Sequence, residues 1–197
     1  MRNILDVATV EFSDKGYAGA RVDEIARRTA STKRMLYYYF GDKEGLYIAV
    51  LERSYSHIRE IESSLDVESL EPVDAIRALA ELTFDHHLEH PDFVRLVANE
   101  NIHRGVHIRQ SEALRSLGNP ALDVLGTILE RGHASGAFAR AADPLDVHML
   151  ISAYSVFCVA NRYTFDTLFH RDLASEESRE HLRTMVGDVI VGYLCHR

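Results

Sequence analysis

With 197 residues, 46% hydrophobic and 26% charged, the chain has an ordinary globular composition, long enough for one sizeable core or a small domain beside a larger one. Its longest nearly apolar run, 149–160, is too short to span a bilayer, no secretory signal follows Met1, and Cys158 and Cys195 lack a CxxC spacing. Neither a membrane partner nor a disulfide framework is expected, reduced thiols in a cytoplasmic protein are, and the net charge of −8 argues against a uniformly basic nucleic-acid binder.

The first helix is predicted over about 3–15, with Ile4, Leu5, Ala8 and Phe12 as its core stripe and Gly16 as a left-handed stop. Val22, Ile25, Ala26 and Thr29 then recur at helical spacing, so a second helix has one apolar face. Ala30, Ser31 and Thr32 interrupt the pattern, and Thr32 is placed to cap a third helix. In that helix Leu36 and Phe40 lie one turn apart and point inward, while Lys33, Arg34, Tyr37 and Tyr38 occupy the other side. A short helix with cations and phenols on its exposed side suits a major groove: the cations offset phosphate charge, and Arg or Lys can bond guanine edges.

The charge is divided unevenly along the chain. Residues 1–47 carry eight Lys or Arg against seven Asp or Glu, and residues 48–197 carry 14 against 23. A near-neutral head with its cations bunched in the second and third helices thus precedes an acidic body that should not lie along DNA.

The run KRMLYYYFGDKEGL, preceded by VDEIARRTA and FSDKGYAGA, resembles the helix-turn-helix of the TetR family of bacterial transcriptional regulators. Gly16, Tyr17, Ile25, Ala26, Leu36, Tyr37, Phe40, Lys43, Glu44 and Leu46 fall in the family's register. The resemblance implies that Lys33, Arg34 and Tyr37 face base edges and that Tyr38 and Lys43 meet phosphates, Lys43 aided by the positive end of the next helix. Two positions depart from the family pattern. Arg21 stands where a phosphate-contacting Thr is usual, and Ala30 where the turn usually holds Gly. Only Arg2 precedes the first helix, where many members carry a basic arm.

Further along, a connector helix is predicted over about 42–64, an acidic hinge over about 66–71, and a helix restarted by Pro72 over about 73–90. Ile76, Leu79, Ala80, Thr83, Phe84 and His87 form its inward stripe, and Pro91 starts another helix bearing Phe93, Leu96 and Val97. Gly105 and the run Gly118, Asn119, Pro120 punctuate the middle. Helices are then expected over about 120–135, from Pro144 to about 162, and over about 176–194. The fold class is all-α, about nine helices: a three-helix head over 1–47 and a ligand-binding and dimerisation body over 48–197.

The two late helices carry more apolar surface than one chain needs, and the family pairs its last two helices in a four-helix bundle across a homodimer. Tyr154, Phe157, Leu182, Met185, Val186, Val189, Ile190 and Tyr193 are the interface candidates. Two heads then read half-sites of a pseudo-palindromic double-stranded operator about one helical turn (~34 Å) apart. Family bodies also hold a small-molecule effector. Here the polar stretch 98–107 offers Asn101 and Arg104, with Phe84, His87, Phe157 and Asn161 as wall candidates, although ion pairs and caps explain that stretch as simply.

Eleven histidines raise a metal-sensing alternative, since His86 and His90, like His103 and His107, are four residues apart. No third ligand is fixed nearby in sequence, so no metal or other cofactor is assigned. An enzyme is not expected either. GxSxG, P-loop and HExxH patterns are absent, and Glu-x-x-His spacing occurs only at Glu100–His103 and Glu130–His133. The expectation is a ligand-released repressor, associated with the bacterial nucleoid when bound.

Overall fold

Every regular element in the computed structural model, which describes residues 2–116 and 118–196, is helical. The chain divides into two compact units, one of residues 1–57 and 92–117, the other of 58–91 and 118–197.

The first unit opens with α1 (Arg2–Gly19), which does not stop at Gly16 but kinks there, at φ +67° and ψ 172°. Only glycine tolerates this geometry cheaply, and a Cβ at Gly16 would come within 2.9 Å of Asn99 Oδ1. α2 (Val22–Arg28) and α3 (Lys33–Phe40) follow, then α4 (Lys43–Ser63), which runs unbroken from the first unit into the second. The caps are local. Thr32 Oγ1 accepts the Met35 N–H at 3.2 Å, and Asp42 Oδ1 accepts the Gly45 N–H at 2.8 Å. α6 (Pro91–Ile102), the 3₁₀ turn Ile108–Gln110 and α7 (Glu112–Ser116) complete the unit around a core that includes Phe12, Ile25, Leu36, Leu46, Tyr47 and Leu96.

In the second unit α5 (Pro72–Glu89) is central, flanked by α8 (Gly118–Ala134), α9 (Pro144–Ala160) and α11 (Glu176–Cys195). Its expected stripe Ile76, Leu79, Ala80, Thr83, Phe84 and His87 is buried throughout. α5 and α11 are laced by Arg179 and Arg183 with Asp85, and by Arg77 with Asp188 at 2.8 Å. They approach closely enough that a Cβ at Gly187 would meet Arg77 Nη1 at 2.9 Å. α9 begins as its sequence requires, Asp143 Oδ1 accepting the Leu145 N–H at 2.7 Å with Pro144 in the first turn.

The later part of the chain also differs from expectation, beginning with the short α7 and the 3₁₀ turn, which add to the expected helices. The late helix ends at Ala160, and a separate α10 (Arg162–Phe169) follows Asn161. Phe165 and Phe169, one turn apart, hold α10: the rings of Phe157 and Phe165 are 5.5 Å apart, those of Phe165 and Phe169 4.7 Å. The stretch 98–107 also does not present Glu100 as a surface ion. α6 stops at Ile102, Arg104 and Gly105 turn left-handed, and Glu100 is 1% exposed.

Candidate nucleic-acid interface

α3 is an eight-residue helix that commits little of itself to the core. Leu36 is fully buried and Phe40 half-buried, while Lys33, Arg34, Met35, Tyr37, Tyr38 and Tyr39 are exposed. At roughly 100° per residue, Arg34 and Tyr38 point almost directly away from Leu36. Tyr37 and Met35 flank that pair about a quarter turn to either side. Tyr38 is 79% exposed, its ring edge-on to Tyr39 at 5.3 Å.

The cations are held differently from one another. Lys33 Nζ lies 3.2 Å from Asp23 Oδ1 and 5.8 Å from the Tyr37 ring centre, and the hydrogen bond it donates to the Asp23 carboxylate raises its pKa. Lys43 is half-buried. Its Nζ sits 4.9 Å over the Tyr17 ring and donates to Ala18 O at 3.4 Å, and burial lowers its pKa. Arg21 is exposed in extended conformation at the start of α2, and its side chain does not cap the helix. The capping role passes to Glu11 on α1, a buried carboxylate whose Oε1 accepts the Arg21 N–H at 3.1 Å and pairs with Lys15 Nζ at 2.9 Å. Arg28 Nη1 lies 4.0 Å from its other oxygen. Sequence patterning had no signal for Glu11 beyond an acidic residue one position short of the buried Phe12. Ala30 adopts φ +49° in the turn between α2 and α3, so the backbone keeps the left-handed shape that glycine would give more cheaply.

The remaining candidates fall in separate places. Asn101 and Arg104 belong to the first unit, where both are exposed. Phe84 and His87 lie in the core of the second, where His87 Nδ1 donates to Thr83 O at 2.7 Å and burial lowers the imidazole pKa. Phe157 faces outward and Asn161 is half-buried. Of the interface candidates, Leu182, Val186 and Ile190 lie in their own chain's core, where α11 packs on α5. Phe157 and Val189 are exposed, and Tyr154, Met185 and Tyr193 half-buried. Leu145, Met149 and Leu168 extend the exposed apolar set on α9 and α10.

The histidine pairs also separate. His86 and His90 share a face of α5, their rings 4.6 Å apart. His103 and His107 do not, because the helix has ended and the chain has turned: His103 is exposed while His107 is buried against Glu100. Among the described residues no helix is long and apolar enough to cross a membrane.

Residues 4–50 match the family described as bacterial regulatory proteins, tetR family, and residues 72–190 the Tetracyclin repressor-like C-terminal domain. The HTH-type transcriptional repressor NicS of Pseudomonas putida is 36% identical over 187 residues, covering 95% of this chain and 88% of that protein. The crystal structure of SCO4942 from Streptomyces coelicolor superposes with a TM-score of 0.70 at 28% identity, over 98% of this chain and 97% of that one. FadR of Bacillus subtilis, solved in complex with stearoyl-CoA, shares the fold at a TM-score of 0.69 and 19% identity, over 96% and 97% of the two chains.

Proposed function

Because this chain belongs to the TetR family of bacterial regulatory proteins, we propose that it is a homodimeric transcriptional repressor that leaves its operator when a small molecule binds the body. The observation that carries this is the outward face of α3, where Arg34 and Tyr38 stand opposite buried Leu36 with Tyr37 beside them. Arg34 supplies a fork for a guanine edge or a phosphate, and the phenols supply hydroxyls and flat apolar rings. Lys33, Arg21 and Lys43 add charge along the same stretch of chain, Lys43 in the first turn of α4, where an anion is favoured.

One copy of an eight-residue helix makes too few contacts for a selective complex, so the function needs two heads. Phe157, Val189, Leu145 and Met149 support pairing through α9 and α11, since the single chain leaves these apolar groups in water. α4 belongs to both compact units as one continuous helix, which makes it the element through which an effector would shift the heads. A coupling of ~1–3 kcal/mol lowers operator affinity about 5–150-fold. The protein acts in the cytoplasm, on the nucleoid when bound, as a regulator and not as an enzyme.

Gel shift and footprinting with the chain's own upstream DNA test this. A protected, twofold-symmetric site with half-sites about one helical turn apart is expected. A complex equally tight on unrelated duplexes would overturn it.

A further inference from the structure

The exposed face of α3 is not symmetrical. One flank of the Arg34–Tyr38 ridge carries Lys33 and Tyr37, which have charge and hydroxyl to offer. The other carries Met35 and, one turn on, Tyr39, each 44% exposed. Met35 has no hydrogen-bonding group beyond a weakly accepting thioether, stands outside the apolar core of its unit, and occupies the first turn of the helix. Its own N–H is fixed by the Thr32 hydroxyl, so its position is set by the cap rather than by side-chain packing. The N-terminal residues of a helix lying in the major groove are the ones that reach base edges.

We propose that Met35 reads thymine in the operator by burying the C5-methyl group, an inference that rests on α3 being the helix that enters the groove. In the major groove, thymine is the one base that presents a methyl group; the other edges offer donors and acceptors, which a weakly accepting thioether satisfies poorly. An unbranched, polarizable side chain can follow a methyl group without a strict rotamer demand. Tyr39 continues the same flank and shields the contact from water. The division of labour on α3 is then chemical: Arg34 for guanine or phosphate, Met35 for thymine.

The test is uracil interference with the full-length protein on a duplex selected from a random pool by gel shift. Deoxyuridine in place of thymidine removes the methyl group and leaves base pairing and charge unchanged. At one thymine per half-site, in twofold-related positions, the substitution should weaken binding about fourfold, the worth of one methyl group kept in water. Met35→Ala and Met35→Gln should bind with thymidine and deoxyuridine equivalent there, with interference elsewhere retained. Because Met35 is exposed, both variants should melt with the parent, which separates recognition from folding. Interference that persists in both variants, or none in the parent, overturns the assignment to Met35 while leaving the groove placement of α3 intact. Failure to select any duplex would sink that placement itself, and this inference with it.

Discussion

His107 Nδ1 lies 2.7 Å from Glu100 Oε1, and the other oxygen of the same carboxylate accepts the backbone N–H groups of His107 and Ile108 at 3.3 and 3.2 Å. One buried acid thus closes the turn that Arg104 and Gly105 make after α6. The imidazole it holds packs against Tyr17 and Tyr47, with ring centres 4.3 and 4.9 Å away, and Gln110 Nε2 reaches Glu44 Oε1 at 2.6 Å. The segment beyond α6 is in this way tied to the end of α1 and the start of α4, the elements that frame α3.

Glu100→Gln keeps the shape but turns an amide N–H₂ toward N–H donors, so at least one buried donor loses its acceptor. A loss of about 1–3 kcal/mol is expected. Glu100→Ala should cost more, about 3–5 kcal/mol, because it strands the imidazole and both backbone groups. Thermal unfolding would show this as a drop of ~2–4 °C per kcal/mol for a chain of this size. A variant melting with the parent would mean that the carboxylate is solvated.

Ala30 offers the opposite sign. A left-handed φ at a residue with a Cβ costs roughly 1–2 kcal/mol, part of which glycine gives back as extra unfolded-state entropy. Ala30→Gly should therefore raise the melting temperature by a few degrees, about 1 kcal/mol, without altering operator affinity. A destabilised Ala30→Gly protein would show that the turn does not hold this φ in solution.

Much of this was legible in the sequence, and the exceptions share a cause. The inward stripe of α5 and the Thr32 cap follow from spacing alone, because periodicity reports which side of a helix meets the core. Spacing does not report what meets a polar residue. Glu100 and Glu11 resemble surface acids until chain distant in sequence brings donors to them: His107 beyond a left-handed turn, and Arg21 N–H on the next helix. The same limit explains Leu182, Val186 and Ile190, since an apolar stripe cannot say whether its own chain or another covers it. Asn161 ends α9 against the apolar pattern, and α10 has no fully buried residue, so it lacks the inward stripe that spacing could report. On α3, the exposed Met35 and Tyr39 were visible only as residues that failed to be buried.

Glu62 carries a pH signature. It is buried, its partner Arg59 lies 2.5 Å away, and burial outweighs that cation to push the carboxyl up to about 7. An acid whose pKa is higher folded than unfolded holds a proton in the native state that the unfolded chain releases. Its contribution is complete below about pH 4.5 and is lost as pH rises through about 7, on the order of 3 kcal/mol at most. His87 and His148, both lowered by burial, act in the other direction, their contribution falling away as pH drops below the ordinary histidine range. Comparing Glu62→Gln with the parent cancels the histidines. The stability difference, variant minus parent, should grow between about pH 5 and about pH 8; a flat difference would place Glu62 in water.

Arg34 and Lys43 separate two kinds of contact on one operator. Every phosphate neutralised contributes about 0.9 to the slope of log K against log salt, whatever the sequence. Lys43 sits over the Tyr17 ring in the first turn of α4, so Lys43→Gln should weaken selected and random duplexes alike and flatten that slope by about one. Arg34 points away from buried Leu36 at the centre of the exposed face, where a guanidinium can grip two acceptors of one guanine. Arg34→Ala should cost about 1–3 kcal/mol on the selected operator and much less on random DNA, and relax the preference at one base pair per half-site. Titrations at several salt concentrations, on operator and on random duplex, resolve the two. Equal losses on both duplexes for Arg34→Ala would reassign that residue to the phosphate backbone and leave base reading to Met35 and the tyrosines.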